Sequence, residues 1–246
     1  WGEMSCSIVD IVVFVVEIAL YGFAPAADNR MIGPPSCGLY KIGAKWTPDI
    51  TIRGEVWRLF APIFLHAGVI HILLNLFAQL TVGFQCEYTW GTVGLTVIYL
   101  TSGIVGNILS AIGEPETLSV GASGAIMGLI GGQITHTWVT WSRTNPKLRV
   151  GRVRGLAVTL VILVGTGFLG SVDNWVHFGG LATGAIMGCI MFRSELLYSG
   201  WKRYLAHSWA LFGTAAIILL TVLLFTMQKD EFIITQCEDG TEQAAR

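Results

Sequence analysis

Seven apolar runs divide the chain: residues 7–24, 67–84, 91–112, 120–141, 155–170, 175–192 and 207–227. A membrane span takes about 20 mostly apolar residues. In lipid only a helix or a closed barrel satisfies its own backbone, so these lengths predict seven transmembrane helices. The fifth run is short, with Arg154 at its end placed to snorkel toward the headgroups. The connection between the first two runs, 25–66, is different in kind. It holds five of the seven prolines, and its second half, Val56-Trp57-Arg58-Leu59-Phe60 then Ile63-Phe64-Leu65, is amphipathic and aromatic. That pattern predicts a segment lying in the membrane interface.

Composition narrows the class. Of 246 residues, 53% are hydrophobic and 13% charged, with a mean hydropathy of +0.63. Soluble domains carry roughly 25% charge. The expected fold class is therefore an all-α membrane protein, one polytopic domain over 1–246. Its core covers about 7–193, followed by an added helix at about 207–227 and a short acidic tail, 228–246. The net charge of −1 gives no reason to expect a nucleic-acid partner. The chain starts at Trp1, which suggests that a preceding segment is missing, and no basic stretch marks the first run as a signal peptide. Cys6, Cys37, Cys86, Cys189 and Cys237 have no metal-site spacing and read as five independent thiols. Neither a metal nor a cofactor is implied.

Basic residues set the orientation. Arg143, Lys147, Arg149, Arg152 and Arg154 follow the fourth run; Arg193, Lys202 and Arg203 follow the sixth. That side reads as cytoplasmic. Glu114, Glu116 and Asp173 fall on the other side, with the long first connection and the tail. Cys37 and Cys237 share that oxidising side, so theirs is the one disulfide the topology permits.

Against this apolar background, polar groups inside spans need a reason. His71 and Asn75 are four residues apart on one face of the second span. Ser123 stands in the opening Gly121-Ala122-Ser123-Gly124 of the fourth, and His177 near the start of the sixth. All three spans begin on the non-cytoplasmic side, so the four groups share one layer below that face. Gly124, Gly128 and Gly132 form a stripe after Ser123; Gly180, Gly184 and Gly188 form another after His177. Such stripes let helix backbones approach in lipid, which would set Ser123 beside His177. Asp10 and Glu17, also on one face, read as packing inward or snorkelling, with a proton path as the alternative. His136 and His207 read as interfacial.

Taken together, Trp57-Arg58, His66, His71, Asn75, Gly121-Ala122-Ser123-Gly124 and His177-Phe178-Gly179-Gly180 with Gly184 resemble the rhomboid intramembrane serine proteases over about residues 56–188. The resemblance implies a rhomboid-like helical bundle with Ser123 as nucleophile and His177 as its base. It implies an oxyanion hole from His71, Asn75 and the Ser123 N–H. Trp57, Arg58 and His66 would be structural in the first connection, and Gly121, Gly124, Gly128, Gly180 and Gly184 structural around the site. The expected partners are membrane lipid and single-pass transmembrane substrates cut in or near the membrane. No acidic residue accompanies His177 within its span, so a dyad is expected, with Asp173 at the loop edge. Met127 stands where family members often carry an aromatic residue, and Val176 where a small one is usual. A seventh span after the core resembles the secretory-pathway members, implying the plasma membrane or secretory pathway over mitochondria. The short fifth span is the candidate lateral gate. The competing readings are a client-binding relative without activity, against which the intact dyad stands, and a transporter, which would place polar groups at mid-membrane and show internal repeats.

Overall fold

A computed structural model of the chain describes residues 2–166, 173–192, 200–226 and 237. The end of the fifth expected span at Gly170, Met227, Arg193 and the tail apart from Cys237 lie outside the described residues. All regular structure described is helical: α1 (Gly2–Tyr21), α2 (Ser36–Lys41), α3 (Thr47–Thr51), α4 (Val69–Gly113), α5 (Ser123–Thr140), α6 (Pro146–Thr166), α7 (Asn174–Met191) and α8 (Gly200–Thr226). Among the described residues, α1, α4 and the 207–226 stretch of α8 are long and apolar enough to cross a membrane. The protein is a multi-pass membrane protein.

Helix α4 is two limbs. Gly91 interrupts it with φ 72° and ψ 168°, a backbone open to glycine. In a straight helix Gln79 and Tyr99 would stand about 30 Å apart; here their side chains come within 3.4 Å, so the limbs fold back on each other. They correspond to the second and third expected spans.

The first helix is inside-out by the standard of a soluble protein. It exposes Ile8, Val12, Val15 and Leu20 and buries Glu3, Ser7, Asp10 and Glu17. Apolar side chains toward lipid and ionisable ones toward the protein is the arrangement a hydrocarbon solvent selects. The buried stripe packs on the first limb of α4, where Glu87 accepts the Gly2 and Glu3 N–H groups at 2.6 and 3.2 Å. Asp10 and Glu17 thus face inward.

Helices α5 and α7 pack along the two glycine stripes. A Cβ on Gly180 would overlap the Gly124 carbonyl, and one on Gly184 the Gly128 carbonyl. Both helices are 18 residues long. Around them, Ile98, Tyr99, Ala125, Met127 and Leu129 form the main apolar core, joined from the first connection by the fully buried Ile63.

One expectation is extended and one is corrected. Among the described residues helix α6 runs from Pro146 to Thr166, so the helix begins before the apolar run that opens at Gly155. Counting apolar residues alone truncated it, because Lys147, Arg149, Arg152 and Arg154 lie on the helix itself. The basic turns precede the expected apolar span, whose end at Gly170 lies outside the described residues. The cysteines are not all independent: Cys37 and Cys237 form a disulfide with Cα atoms 5.3 Å apart, while Cys6, Cys86 and Cys189 remain thiols.

Candidate active site

The first connection forms a plug on the helices, with Arg58 at its centre. The buried guanidinium donates from Nη1 to the Tyr40 and Ala44 carbonyls at 2.8 and 3.0 Å. It pairs with Asp49 at 3.3 Å and Glu55 at 2.5 Å. The Tyr40 and Trp57 rings flank it at 4.7 and 4.9 Å. Five donors in a fixed fork make arginine, and not lysine, suited to this post. Burial is the main cause that drives the Tyr40 hydroxyl up to about 12, with its hydrogen bond to Asp49 adding to it.

This plug reaches the segment ahead of Ser123. Lys45 and Ser119 exchange backbone hydrogen bonds of 2.9 and 3.2 Å, and the Gly121 N–H donates to the Pro62 carbonyl at 2.8 Å. Gly121 has φ +129° and lies against the His71 ring, so both its conformation and its missing side chain are used. Ser123 then opens α5, where the first backbone N–H groups have no intrahelical acceptor.

His177 sits in the first turn of α7. Asp173 caps that helix, Oδ1 accepting from the Val176 N–H at 3.2 Å. Its Oδ2 accepts from the Ser110 hydroxyl and stands 3.9 Å from Lys45 Nζ. The carboxylate is thus engaged in holding the helix start. Lys45 is fully buried, and it donates to the Glu114 carbonyl at 2.9 Å. Desolvation brings its ammonium down to about 8, against the pull of Asp173 and Glu114.

Between the helices, His177 Nε2 and Ser123 Oγ are 2.8 Å apart. Both line a cavity of about 720 Å³ that His71 and Asn75 also line, with Asn29 and Met31 of the first connection. His71 Nδ1 accepts the Ala67 N–H at 3.2 Å, which leaves its ring proton on Nε2. The Asn75 side chain is 2% exposed and its Nδ2 has no hydrogen-bond partner. His66 is fully buried, its ring 5.4 Å from that of His71 in an edge-on arrangement. Ser123, His177, His71 and Asn75 are thus brought to one cavity. Trp57 and Arg58 belong to the plug, and Met127 to the core.

Sequence reasoning missed the Lys45–Asp173–Ser110 cluster and Asn29. An aspartate three residues before Val176 at a helix start is a capping signal that could have found the first. Nothing local marks Asn29, which donates to the Pro34 and Ala67 carbonyls at 2.9 and 2.7 Å.

A family model described as the rhomboid domain matches residues 53–194, a stretch that carries Ser123, His177, His71 and Asn75. The chain belongs to the rhomboid family. Among its relatives, Rhomboid-like protease 1 of Toxoplasma gondii is 36% identical over 195 residues, 78% of this chain and 64% of the relative. Rhomboid-like protease 3 of the same organism is 31% identical, covering 85% and 80%. RHOMBOID-like protein 6, mitochondrial, of Arabidopsis thaliana is 35% identical over 184 residues, 75% of this chain and 59% of the relative. The chain spans about half the length of several Arabidopsis relatives, from 43% to 59% in four of them.

Proposed function

We propose that this rhomboid is an intramembrane serine endopeptidase that cuts single-pass membrane proteins in or near their transmembrane segments. The observation that carries the reading is the 2.8 Å contact between Ser123 Oγ and His177 Nε2 in a cavity that His71 and Asn75 also line. Ser123 Oγ attacks the scissile carbonyl as His177 Nε2 takes its proton. The oxyanion that forms is held by His71 Nε2–H, Asn75 Nδ2 and the Ser123 N–H. His177 returns the proton to the leaving amine as the C–N bond breaks, leaving an acyl group on Ser123. A water, deprotonated by His177, then releases the acid and restores the serine. With Asp173 engaged in capping, the machinery is a dyad.

A helical substrate hides its carbonyls in backbone hydrogen bonds, so the cut segment unwinds before attack. Residues of poor helix propensity near its outer end favour that step. In this reading α1, the two limbs of α4, α5, α6 and α7 make a six-helix core, and α8 is the seventh. A helix added after the core resembles the secretory-pathway members, and the Cys37–Cys237 disulfide suits an oxidising face. Both favour the plasma membrane or secretory pathway.

A fluorophosphonate probe tests the nucleophile directly. The adduct is expected on Ser123 by peptide mass spectrometry and absent in His177→Ala. An adduct elsewhere, or none in the folded protein, would remove the proposed role.

A further inference from the structure

We infer that Glu17 is a positioning residue for the oxyanion pocket: from α1 it fixes the backbone that sets the tautomer of His71. The inference rests on the proposed protease reading for its kinetic consequence alone. Its structural content stands independently.

The peptides of residues 66 and 67 lead into α4. The His66 N–H donates to Glu17 Oε1 at 3.1 Å, and the next N–H, that of Ala67, donates to His71 Nδ1 at 3.2 Å. Glu17 is 1% exposed and His66 fully buried, so no solvent can replace either partner. On the other side of the same turn, the Ala67 carbonyl accepts from Asn29 Nδ2 at 2.7 Å. The turn is therefore held from α1 and from the first connection, and its remaining donor is spent on the imidazole. The His66 ring, carried by the same backbone, packs edge-on against the His71 ring.

Consequences follow from hydrogen-bond accounting. A neutral imidazole presents one donor and one acceptor, and the partner of one nitrogen dictates the other. With the Ala67 N–H at Nδ1, the donor is Nε2, beside Gly121 at the cavity. If Glu17 loses its acceptor oxygen, the His66 N–H is stranded in a dry site and the turn moves to find a partner. Ala67 moves with it, and the two His71 tautomers approach equal standing. One of them offers a lone pair where the reaction needs a donor. The property required of Glu17 is an acceptor oxygen, which glutamine retains and leucine lacks.

The experiment compares wild type, Glu17→Leu and Glu17→Gln in detergent by ¹⁵N spectra of labelled histidine, using His71→Ala to assign the signal. With five histidines in the chain, the spectrum is simple. Wild type and E17Q are expected to show His71 protonated at Nε2, and E17L a mixture of tautomers. Cleavage of a labelled single-pass substrate is expected to fall about 10²-fold in kcat for E17L with KM unchanged. E17Q should stay within about threefold of wild type. In the H71A background E17L should cost less than about twofold, because its effect passes through that ring. An unchanged His71 tautomer in E17L, or the same loss with and without His71, would overturn the inference. If E17L does not fold, E17Q still decides: an altered tautomer or a large kcat loss contradicts the acceptor role. A wild type that cuts nothing would count against the protease reading while the spectra still test the positioning.

Discussion

Gly180 and Gly124 touch backbone to backbone: a Cβ on the first would overlap the carbonyl of the second. Gly124 follows Ser123, and Gly180 lies one turn after His177. The closeness of these two backbones is what allows a hydrogen bond between short side chains on separate helices. Gly180→Ala is expected to destabilise the protein by ~1–3 kcal/mol through overpacking and to lower activity by separating the pair. Gly151→Ala serves as the control. It meets open space on α6 and should be neutral or stabilising by ~0.5–1 kcal/mol. Thermal unfolding in detergent, read beside cleavage rates, checks both.

Asn75 gives the cleanest separation of function from stability. Its Nδ2 is buried and makes no hydrogen bond to another protein group, so no protein partner is lost when it is removed. Asn75→Ala should lower kcat by ~10²–10³ while leaving the unfolding midpoint unchanged or raised. A stability loss with normal kcat would assign Asn75 to the scaffold.

Arg58 should behave in the opposite way. Removing it breaks the buried pair with Asp49, which keeps only the Tyr40 hydroxyl and Arg53, and takes a donor from the half-exposed Glu55 and from the Tyr40 and Ala44 carbonyls. Breaking a buried pair costs about 3–5 kcal/mol. Arg58→Lys keeps the charge but not the fork, so it should recover only part of that loss. The measurement is the unfolding midpoint of the three proteins in one detergent.

Lys45 makes a pH prediction. Its folded value of about 8 lies below the ordinary lysine value of 10.5 because of burial. The unfolded chain therefore binds more protons in that window, and stability rises with pH there. The penalty is fully present below about pH 8 and is relieved as pH approaches 10.5. Lys45→Met should flatten that rise, seen as the difference between the two unfolding profiles from pH 7.5 to 10.5.

How far the sequence led can be judged residue by residue. That Ser123, His177, His71 and Asn75 would meet at one place was legible because polar groups inside apolar runs have few innocent explanations. The glycine stripes were legible because a period of four on a helix makes one face. The start of α6 was not, since a helix can leave the hydrocarbon and continue through basic residues with no change in backbone. Nor was Glu17 as a partner of His66. That contact joins positions 49 apart through a side chain whose sequence signal is only that it is acidic in an apolar run. The Lys45–Asp173 cluster was hidden for the same reason, being built by tertiary packing between a loop and a helix cap.

The central claim is tested by placing the purified protein and its Ser123→Ala variant in liposomes with a labelled single-pass transmembrane substrate. The account predicts cleavage by the first at a site in or near the membrane segment and none by the second. Equal cleavage by both would contradict Ser123 as the nucleophile. Failure of the wild type on this and a second such substrate would contradict the protease reading in favour of a client-binding rhomboid.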